Sequence, residues 1–388
     1  LAQPVLGILT LYLNDKKQLE ERHIYQRMIK EGQTLGLDVF VFTPMDVDDN
    51  RGLIHALIYD PKHKKWSRKW RKFPHLIFDR CRIQRSKRFE QLLRFRSRYG
   101  NLTYLNRPLR NKWTIYQTLN RKTAFRKHQP ATVLFQNSGD VFHLLKNYPS
   151  VYVKPINGTG GRGILRVERL GGDMFLIQGR KQSRQIIPAQ KLHKSRLGAF
   201  LLSWKGSGRF LAQQGIQIKL PSGRVADYRM LVQKNGHGQW EVTGCAGRIG
   251  PVRSVTSNLH GGGKAVTMNA LLAQVTSSEE KRSEIRRSAE KLSLEIAAHL
   301  ESTFGALCEL ALDLAIEKNG RVYVLEVNPK PAREVFIKSG DTESYRRAII
   351  KPLEYAMWMY KRDAKRENKR EEKHEDKRDD KREAAPSS

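Results

Sequence analysis

Cysteine is nearly absent. The chain has three in 388 residues, Cys81, Cys245 and Cys308, and their spacing suits neither a metal module nor a disulfide framework. This excludes a disulfide-stapled secreted scaffold and reads as reduced thiols in a cytoplasmic protein. Long apolar runs are missing too. None approaches the ~18 residues that a membrane span requires, so no span is expected. The opening PVLGILTLYL is apolar but short, lacks a basic segment before it, and reads as a first β-strand rather than a signal peptide. The last 28 residues contain no apolar side chain larger than alanine. They cannot offset the entropy of ordering against a core, so disorder or a solvated helix is expected over 361–388.

Acidic residues are scarce in one region. Residues 51–126 hold 22 Lys/Arg and three acids, Asp60, Asp79 and Glu90. Aromatics are interleaved there, as in KHKKWSRKWRKF. Such a stretch attracts anions and is a candidate contact for an anionic polymer, or simply a solvated face of a basic protein. Trp66 and Trp70 read as core or surface anchors rather than base-stacking platforms. The tail has 11 basic and nine acidic residues, so the chain's net charge of +33 lies almost wholly outside it.

What is present points to an α/β protein. Over residues 1–110, VLGILTLYL, DVFVFTP and HLIFDR read as strands, with a helix in QLEERHIYQRMIKEGQTL between the first two. That rhythm predicts a parallel sheet. A helix is expected from about Asn111. Residues 132–210 and 211–333 read as β-rich, the latter with a helix in SSEEKRSEIRRSAEKLSLEIAAHLESTFG. Its predicted capping box runs from Ser277 to Glu280, and Ile285, Ala289, Leu292, Ile296 and Leu300 share one face.

Two motifs carry chemistry. In VYVKPINGTGGRGILRV, Lys154 ends a strand, Gly158, Gly160, Gly161 and Gly163 form a loop, and a second strand follows. No GK[ST] follows and no helix opens, so neither a Walker loop nor a dinucleotide fingerprint is present. The strand–loop–strand flap lets backbone N–H groups approach phosphate oxygens, with Lys154 reaching from the side. A glycine-rich hairpin without a ligand has the same pattern. Arg162 in the loop suits either solvent or a phosphate.

The second motif is ELALDLAIEKNGRVYVLEVNPKP, residues 309–331. Asn319-Gly320 is a strong two-residue hairpin signal. With that turn Asp313 faces Glu326, roughly 5 Å away, and Asn328 shares their face. Leu312, Leu314 and Ile316 are then expected on the opposite face with Tyr323, Leu325 and Val327. Opposed carboxylates ask for a cation, and hard oxygen ligands near phosphates suit Mg²⁺. A solvent-facing acidic hairpin is the competing reading, and it leaves the rigid PKP unexplained.

The flap with Lys154, followed by the Asp…Glu-x-Asn hairpin, resembles the ATP-grasp superfamily over roughly residues 105–335. Asn111-Lys112 is similar to the first nucleotide lysine. FLAQQGI at 210–216 is similar to the adenine-holding hinge strand, and DYRM and GCAGRIG to two arginine-bearing strands. RSVTSNLHGGGKA is similar to the Asn-plus-glycine segment of related ligases. PVLGILT, VKPINGTGGRGI and EVNPKPAR resemble most the endospore coat-associated YheC/YheD branch.

The resemblance implies an ATP-grasp fold, α+β in its catalytic part. The parts would be an N-terminal parallel-sheet domain over 1–110 with the basic insertion, a lid over 111–210, a catalytic subdomain over 211–360 and the charged tail over 361–388. It implies an ATP- and Mg²⁺-dependent carboxylate–amine ligase acting through an acyl phosphate on small-molecule or peptide substrates. The protein would be cytoplasmic, with association with the spore coat. Lys112 and Lys154 would hold phosphates, and Gln213, Gln214, Gly215 and Ile216 the adenine. Asp313, Glu326 and Asn328 would hold the metal. Arg229 and Arg248 would stabilise charge on the transferred group, and Arg333 would bind a substrate carboxylate. His260 reads as structural rather than catalytic. Two positions depart from the pattern: Gln213 and Gln214 stand where many members place a hinge glutamate, and Ala332 replaces a common glycine. The alternative is a spore-coat-associated or polyanion-binding protein with a regulatory or vestigial ATP site.

Overall fold

The computed structural model describes residues 3–82, 86–158, 160–183, 185–259 and 262–383, with side chains in the final helix described to Asn368. His260 lies outside the described residues.

Three sheets follow one another along the chain. The first contains β1 (Val5–Leu9), β2 (Asp38–Phe42), β3 (Val47–Asp48), β4 (Leu53–Asp60), β5 (Lys65–Lys72) and β6 (Leu76–Asp79). β1 pairs in parallel with β2 and β6, as the strand–helix rhythm predicts, with helix α1 (Arg22–Thr34) as the first crossover. The antiparallel β4–β5 hairpin extends the sheet.

The Lys65–Lys72 part of the basic stretch, with five of its 22 Lys/Arg, is therefore an edge strand. Charged edges discourage pairing with another chain, which gives these cations a structural use. Arg68 bonds Asp46 at 2.8 Å and Arg71 pairs with Asp38. Trp66 packs on Tyr59, and Trp70 stacks on His55 at 4.8 Å, so both act as surface anchors. Helix α2 (Lys87–Arg98) supplies Arg96 to the buried Asp79.

Helices α3 (Lys112–Arg121) and α4 (Thr123–Arg126) lead into the lid. Asn111 caps α3 by accepting the Thr114 N–H. The lid sheet has the order β11-β10-β9-β8-β12-β7, from β7 (Thr132–Phe135), β8 (Ser150–Pro155), β9 (Ile164–Gly171), β10 (Met174–Arg180), β11 (Ile186–His193) and β12 (Phe210–Gln214). Helices α5 (Ser138–Asn147) and α6 (Lys194–Lys205) pack on it. β12 pairs with β7 and β8, so the hinge strand belongs to the lid sheet.

The third sheet, in the span expected to be catalytic and called the catalytic sheet below, has the order β15-β14-β13-β16-β17, from β13 (Ala226–Lys234), β14 (Trp240–Ile249), β15 (Lys264–Thr267), β16 (Glu309–Ile316) and β17 (Val322–Asn328). α7 (Met268–Leu272) and α8 (Glu279–Phe304) cover one face. The α8 stripe Ile285, Ala289, Leu292, Ile296 and Leu300 is buried there as expected. Its cap is Ser278, which accepts the Lys281 N–H, one residue beyond the predicted Ser277.

Short α9 (Glu334–Lys338) and long α10 (Thr342–Glu383) complete the described residues. The first part of α10 joins one core cluster with α1, β1 and the back of the catalytic sheet, through Ile349, Leu353 and Met359. Arg362 covers Trp358, and residues 365–368 are exposed. The charged segment continues the helix to Glu383, and its described residues 365–368 lie outside the core. Truncation after Ala364 is expected to leave the melting temperature within about 1 °C, because surface segments without buried contacts contribute little. A larger fall by calorimetry would show that the tail docks.

A buried ion network welds the first sheet to the catalytic one. Arg80, fully buried, bonds Glu21 at 2.8 Å, Glu309 at the start of β16, and the Pro331 carbonyl at 3.0 Å. Its neighbour Asp79 takes Lys330, whose ammonium lies 3.4 Å from the carboxylate and also meets the Asp79 carbonyl. Two carboxylates, Glu21 and Glu309, balance Arg80 and Arg333 in this cluster.

Candidate nucleotide and metal site

The lid and catalytic sheets face each other across a cavity of about 140 Å³. Lys154, from the end of β8, is 8 % exposed. Its ammonium donates to Gln213 Oε1 at 2.7 Å and the Leu325 carbonyl at 3.2 Å, so it spans from lid to catalytic sheet. Burial, with help from Lys112, lowers its pKa to about 8, against the pull of Glu326 and Asp313. Lys112, the first residue of α3, donates to the Gly158 carbonyl at 2.6 Å and lies 3.5 Å from Glu326.

The flap joins β8 to β9. Gly160, Gly161 and Gly163 have φ of +68°, +69° and +66°, which favours glycine. A β-carbon on Gly161 would run into the Asn258 amide, so the flap lies against the 253–265 segment. Tyr152 ties the same two regions through Val255 O at 3.1 Å.

The hinge residues are differently employed. Gln213 donates to Thr132 Oγ1 at 2.9 Å while accepting Lys154. Gln214 Oε1 accepts the Ala131 N–H at 3.1 Å, and the Gly215 N–H is committed to Ser150 O at 2.8 Å. Gln213, Gln214 and Ile216 line the cavity.

Asp313 and Glu326 are direct partners on β16 and β17, as the register predicts. The route to that register differs. Gly320 N–H bonds Glu317 O at 2.9 Å, and Glu317 N–H bonds Arg321 O at 3.0 Å, so the loop is Lys318-Asn319-Gly320. This three-residue turn offsets the strands by one, and a bulge at Leu325 restores the offset before Glu326. Val322 and Val324 therefore join Leu312, Leu314 and Ile316 against α8, while Tyr323 packs with Ala315 and Ile216 on the other face. Leu325 turns to the cavity. The offset that runs from the loop to the bulge corrects the expected placement of Tyr323 and Leu325.

The carboxylates have protein cations as partners. Arg229 bonds Asp313 bidentately at 2.9 Å through Nε and Nη2. Arg248 bonds Asp227 bidentately at 2.7 Å and reaches Asp313 at 3.0 Å. Repulsion between the opposed acids thus needs no metal to explain it, contrary to the expectation from sequence. Although burial pushes the Asp313 carboxyl up, Arg229 and Arg248 hold it down to about 2.

The donor set still fits Mg²⁺. Glu326 has one weak ion pair, and Asn328 Nδ2 donates to Asp313 at 3.3 Å on the same cavity wall. Two carboxylates and an amide are hard oxygen ligands of the number that Mg²⁺ takes beside phosphates. Among the described residues no group of three or more His, Cys, Asp or Glu side chains is placed to hold a metal.

Arg333 is not at this cavity. It is fully buried, with Glu309 at 2.7 Å and the Ala348 carbonyl at 2.9 Å. A guanidinium so committed cannot serve a substrate carboxylate, and its assignment there is corrected. Asp227 and Leu325 were missed. Asp227 and Arg229 share a face of β13 opposite Arg248 and Asp313, an alternation of charge visible only once the strands are paired. Among the described residues no helix is long and apolar enough to cross a membrane.

Comparison with known proteins agrees with this geometry. Residues 101–359 match the family model YheC/D like ATP-grasp. Endospore coat-associated protein YheD of Bacillus subtilis (strain 168) is 25% identical over 374 residues, covering 92% of this chain and 79% of that protein. YheC of the same organism is 21% identical over 364 residues, with 92% and 98% covered. The solved structure of D-cycloserine synthetase DcsG superposes with a TM-score of 0.53 at 14% identity, over 92% of this chain and 99% of that one, a likeness of fold. The chain belongs to the YheC/D-like ATP-grasp family.

Proposed function

We propose that the protein is an ATP-dependent carboxylate–amine ligase. The observation that carries this is convergence: Lys112, Lys154, Gly158, Gly160 and Gly161 of the flap, Asp313, Glu326 and Asn328 all line one cavity between lid and catalytic sheet. In this reading Lys112 and Lys154 hold phosphates and Ile216 and Leu325 flank the base. Asp313, Glu326 and Asn328 would hold Mg²⁺. The metal supplies charge neutralisation at the phosphates.

The substrate carboxylate attacks the terminal phosphorus and ADP leaves. The amine then displaces phosphate from the acyl carbon. No side-chain nucleophile is required, so the protein contributes position and charge. Arg229 and Arg248 are locked by Asp313 and Asp227, while Nη1 of each enters none of those bonds. Those groups stabilise negative charge on the transferred phosphoryl.

The names of the two curated relatives support a place at the endospore coat for this chemistry. The test is calorimetry with ATP and Mg²⁺, followed by ADP release with a panel of carboxylates and amines. The expected result is ADP formed one-for-one with an amide and only when both substrates are present. Absence of Mg-ATP binding would remove the proposal.

A further inference from the structure

The first sheet ends in an open edge. β5 pairs with β4 over eight consecutive residues, and among the described residues nothing pairs with its other side. Edges are ordinarily blunted by shortness, proline, a bulge or a covering segment. The lid's outer strand β11 shows two of these devices, Pro188 and a bulge in its pairing with β10. β5 is equally long, lacks proline and keeps one register throughout. What guards it is charge.

The pleat sorts those charges. Lys65, Ser67, Lys69 and Arg71 share one face, and Trp66, Arg68, Trp70 and Lys72 the other. Arg68 and Arg71 are committed to Asp46 and Asp38. Lys65, Lys69 and Lys72 are exposed and have no acidic partner among the described residues. At the rise of a strand, Lys65 and Lys69 stand about 13 Å apart on their face. A second copy of this edge fits badly. Antiparallel pairing centred on the strand sets Lys65 against Lys72 and Arg68 against Lys69, like charge opposite like. Nucleic acid would meet the lysines but not the backbone ladder. Its bases would also find the Trp70 ring taken, stacked on His55 at 4.8 Å and covered by Arg51 at 4.4 Å.

An extended acidic peptide answers both the unpaired backbone and the unpaired lysines. We infer that β5 is a docking edge for an extended segment of another protein that carries carboxylates at alternate positions. The segment adds a strand to the six of the first sheet, its main chain bonding along Lys65–Lys72 and its carboxylates meeting Lys65 and Lys69 across the ladder. The cations that turn away a second copy admit this partner. None of these residues lines the nucleotide cavity, so the docking edge stands apart from the ligase reading.

The experiment uses the full chain and four labelled probes. One is a peptide as long as β5 that alternates threonine and glutamate. The second has glutamine for glutamate, the third is the acidic peptide with every main-chain amide methylated, and the fourth is a DNA oligonucleotide of the same charge. Fluorescence anisotropy is expected to show saturable one-to-one binding of the first, about tenfold tighter than each of the others. Hydrogen exchange at the β5 amides should slow when that peptide saturates the protein. With Lys65→Glu and Lys69→Glu together, the acidic peptide should bind about tenfold more weakly. The melting temperature should not change, because both side chains are exposed. No saturation by the acidic peptide, equal binding of the glutamine or methylated peptide, equal or tighter binding of the oligonucleotide, indifference to the double substitution, or unchanged exchange in β5 would each overturn the inference.

Discussion

Asp313→Asn is expected to cost the metal-free protein about 3 kcal/mol of stability or more, while Glu326→Gln leaves it nearly unchanged. Both carboxylates are proposed ligands, but their surroundings differ. Asp313 is 7 % exposed and satisfies Arg229 and Arg248 together. Removing its charge leaves two guanidiniums in a buried row with only Asp227 between them. Glu326 is more open and has one contact, Lys112 at 3.5 Å.

Urea unfolding at neutral pH separates the two. The folded carboxyl of Asp313 titrates at about 2, below its ordinary value of 3.8, so its contribution is full above that value and lost as pH falls through about 2. The gap between wild type and Asp313→Asn should therefore close on acidification over that window. Turnover should fall on the order of 10²-fold or more in both variants. A stable Asp313→Asn protein would show that the arginines find other partners. An active Glu326→Gln protein would end the metal-ligand assignment of the hairpin.

Lys154→Met is expected to lose nucleotide binding by on the order of 10²-fold while stabilising, or at least not weakening, the empty protein. The buried ammonium is bonded to two neutral oxygens, Gln213 Oε1 and Leu325 O, and sits near Lys112. Folding thus makes its charge harder to keep, and its pKa falls from 10.5 to about 8. Because the folded value is the lower one, the folded chain binds fewer protons between those limits, and this group's contribution to stability rises with pH there. Nucleotide binding runs the other way. Phosphates require the ammonium, so affinity should decline as pH rises through about 8, and binding above that pH should take up a proton. Calorimetry in buffers of different ionisation enthalpy measures the uptake. An affinity flat from pH 7 to about 9.5, or a Lys154→Met variant that binds normally, would show that Lys154 is a structural strut between lid and floor.

Local pattern revealed more of the site than it did of the fold's joints. The Asp313–Glu326 pairing was legible, yet through two errors that cancel: a three-residue loop in place of two, and a bulge at Leu325. Turn chemistry predicted a hairpin, but no local signal marks a bulge inside an apolar strand. The faces of Tyr323 and Leu325 were misplaced because the extra loop residue shifts the register as far as that bulge. Arg333 was misread because its partner acids lie at Glu309 and, through Arg80, at Glu21. Contacts over such separations leave no periodicity. The basic stretch read as one patch, whereas pairing distributes it among an edge strand, aromatic stacks and buried bridges. The helical faces were readable because 3.6-residue spacing is a local property, as the buried stripe of α8 shows.

The weld made by Asp79 and Arg80 bears on what counts as a unit of this molecule. Similarity marks residues 101–359 as the family's domain. Arg80 stands outside that span, and its partners Glu309 and Pro331 stand inside it. So does Lys330, which Asp79 neutralises from outside. A fragment cut at the family's borders would expose the acid of Glu309 on one side and orphan a buried lysine on the other. It would also lose α1 and β1, against which α10 completes the core. The boundary drawn by ancestry is therefore not a boundary of cooperative folding. The first sheet is one wall of the body that carries the Asp313–Glu326 hairpin, and it folds with that body.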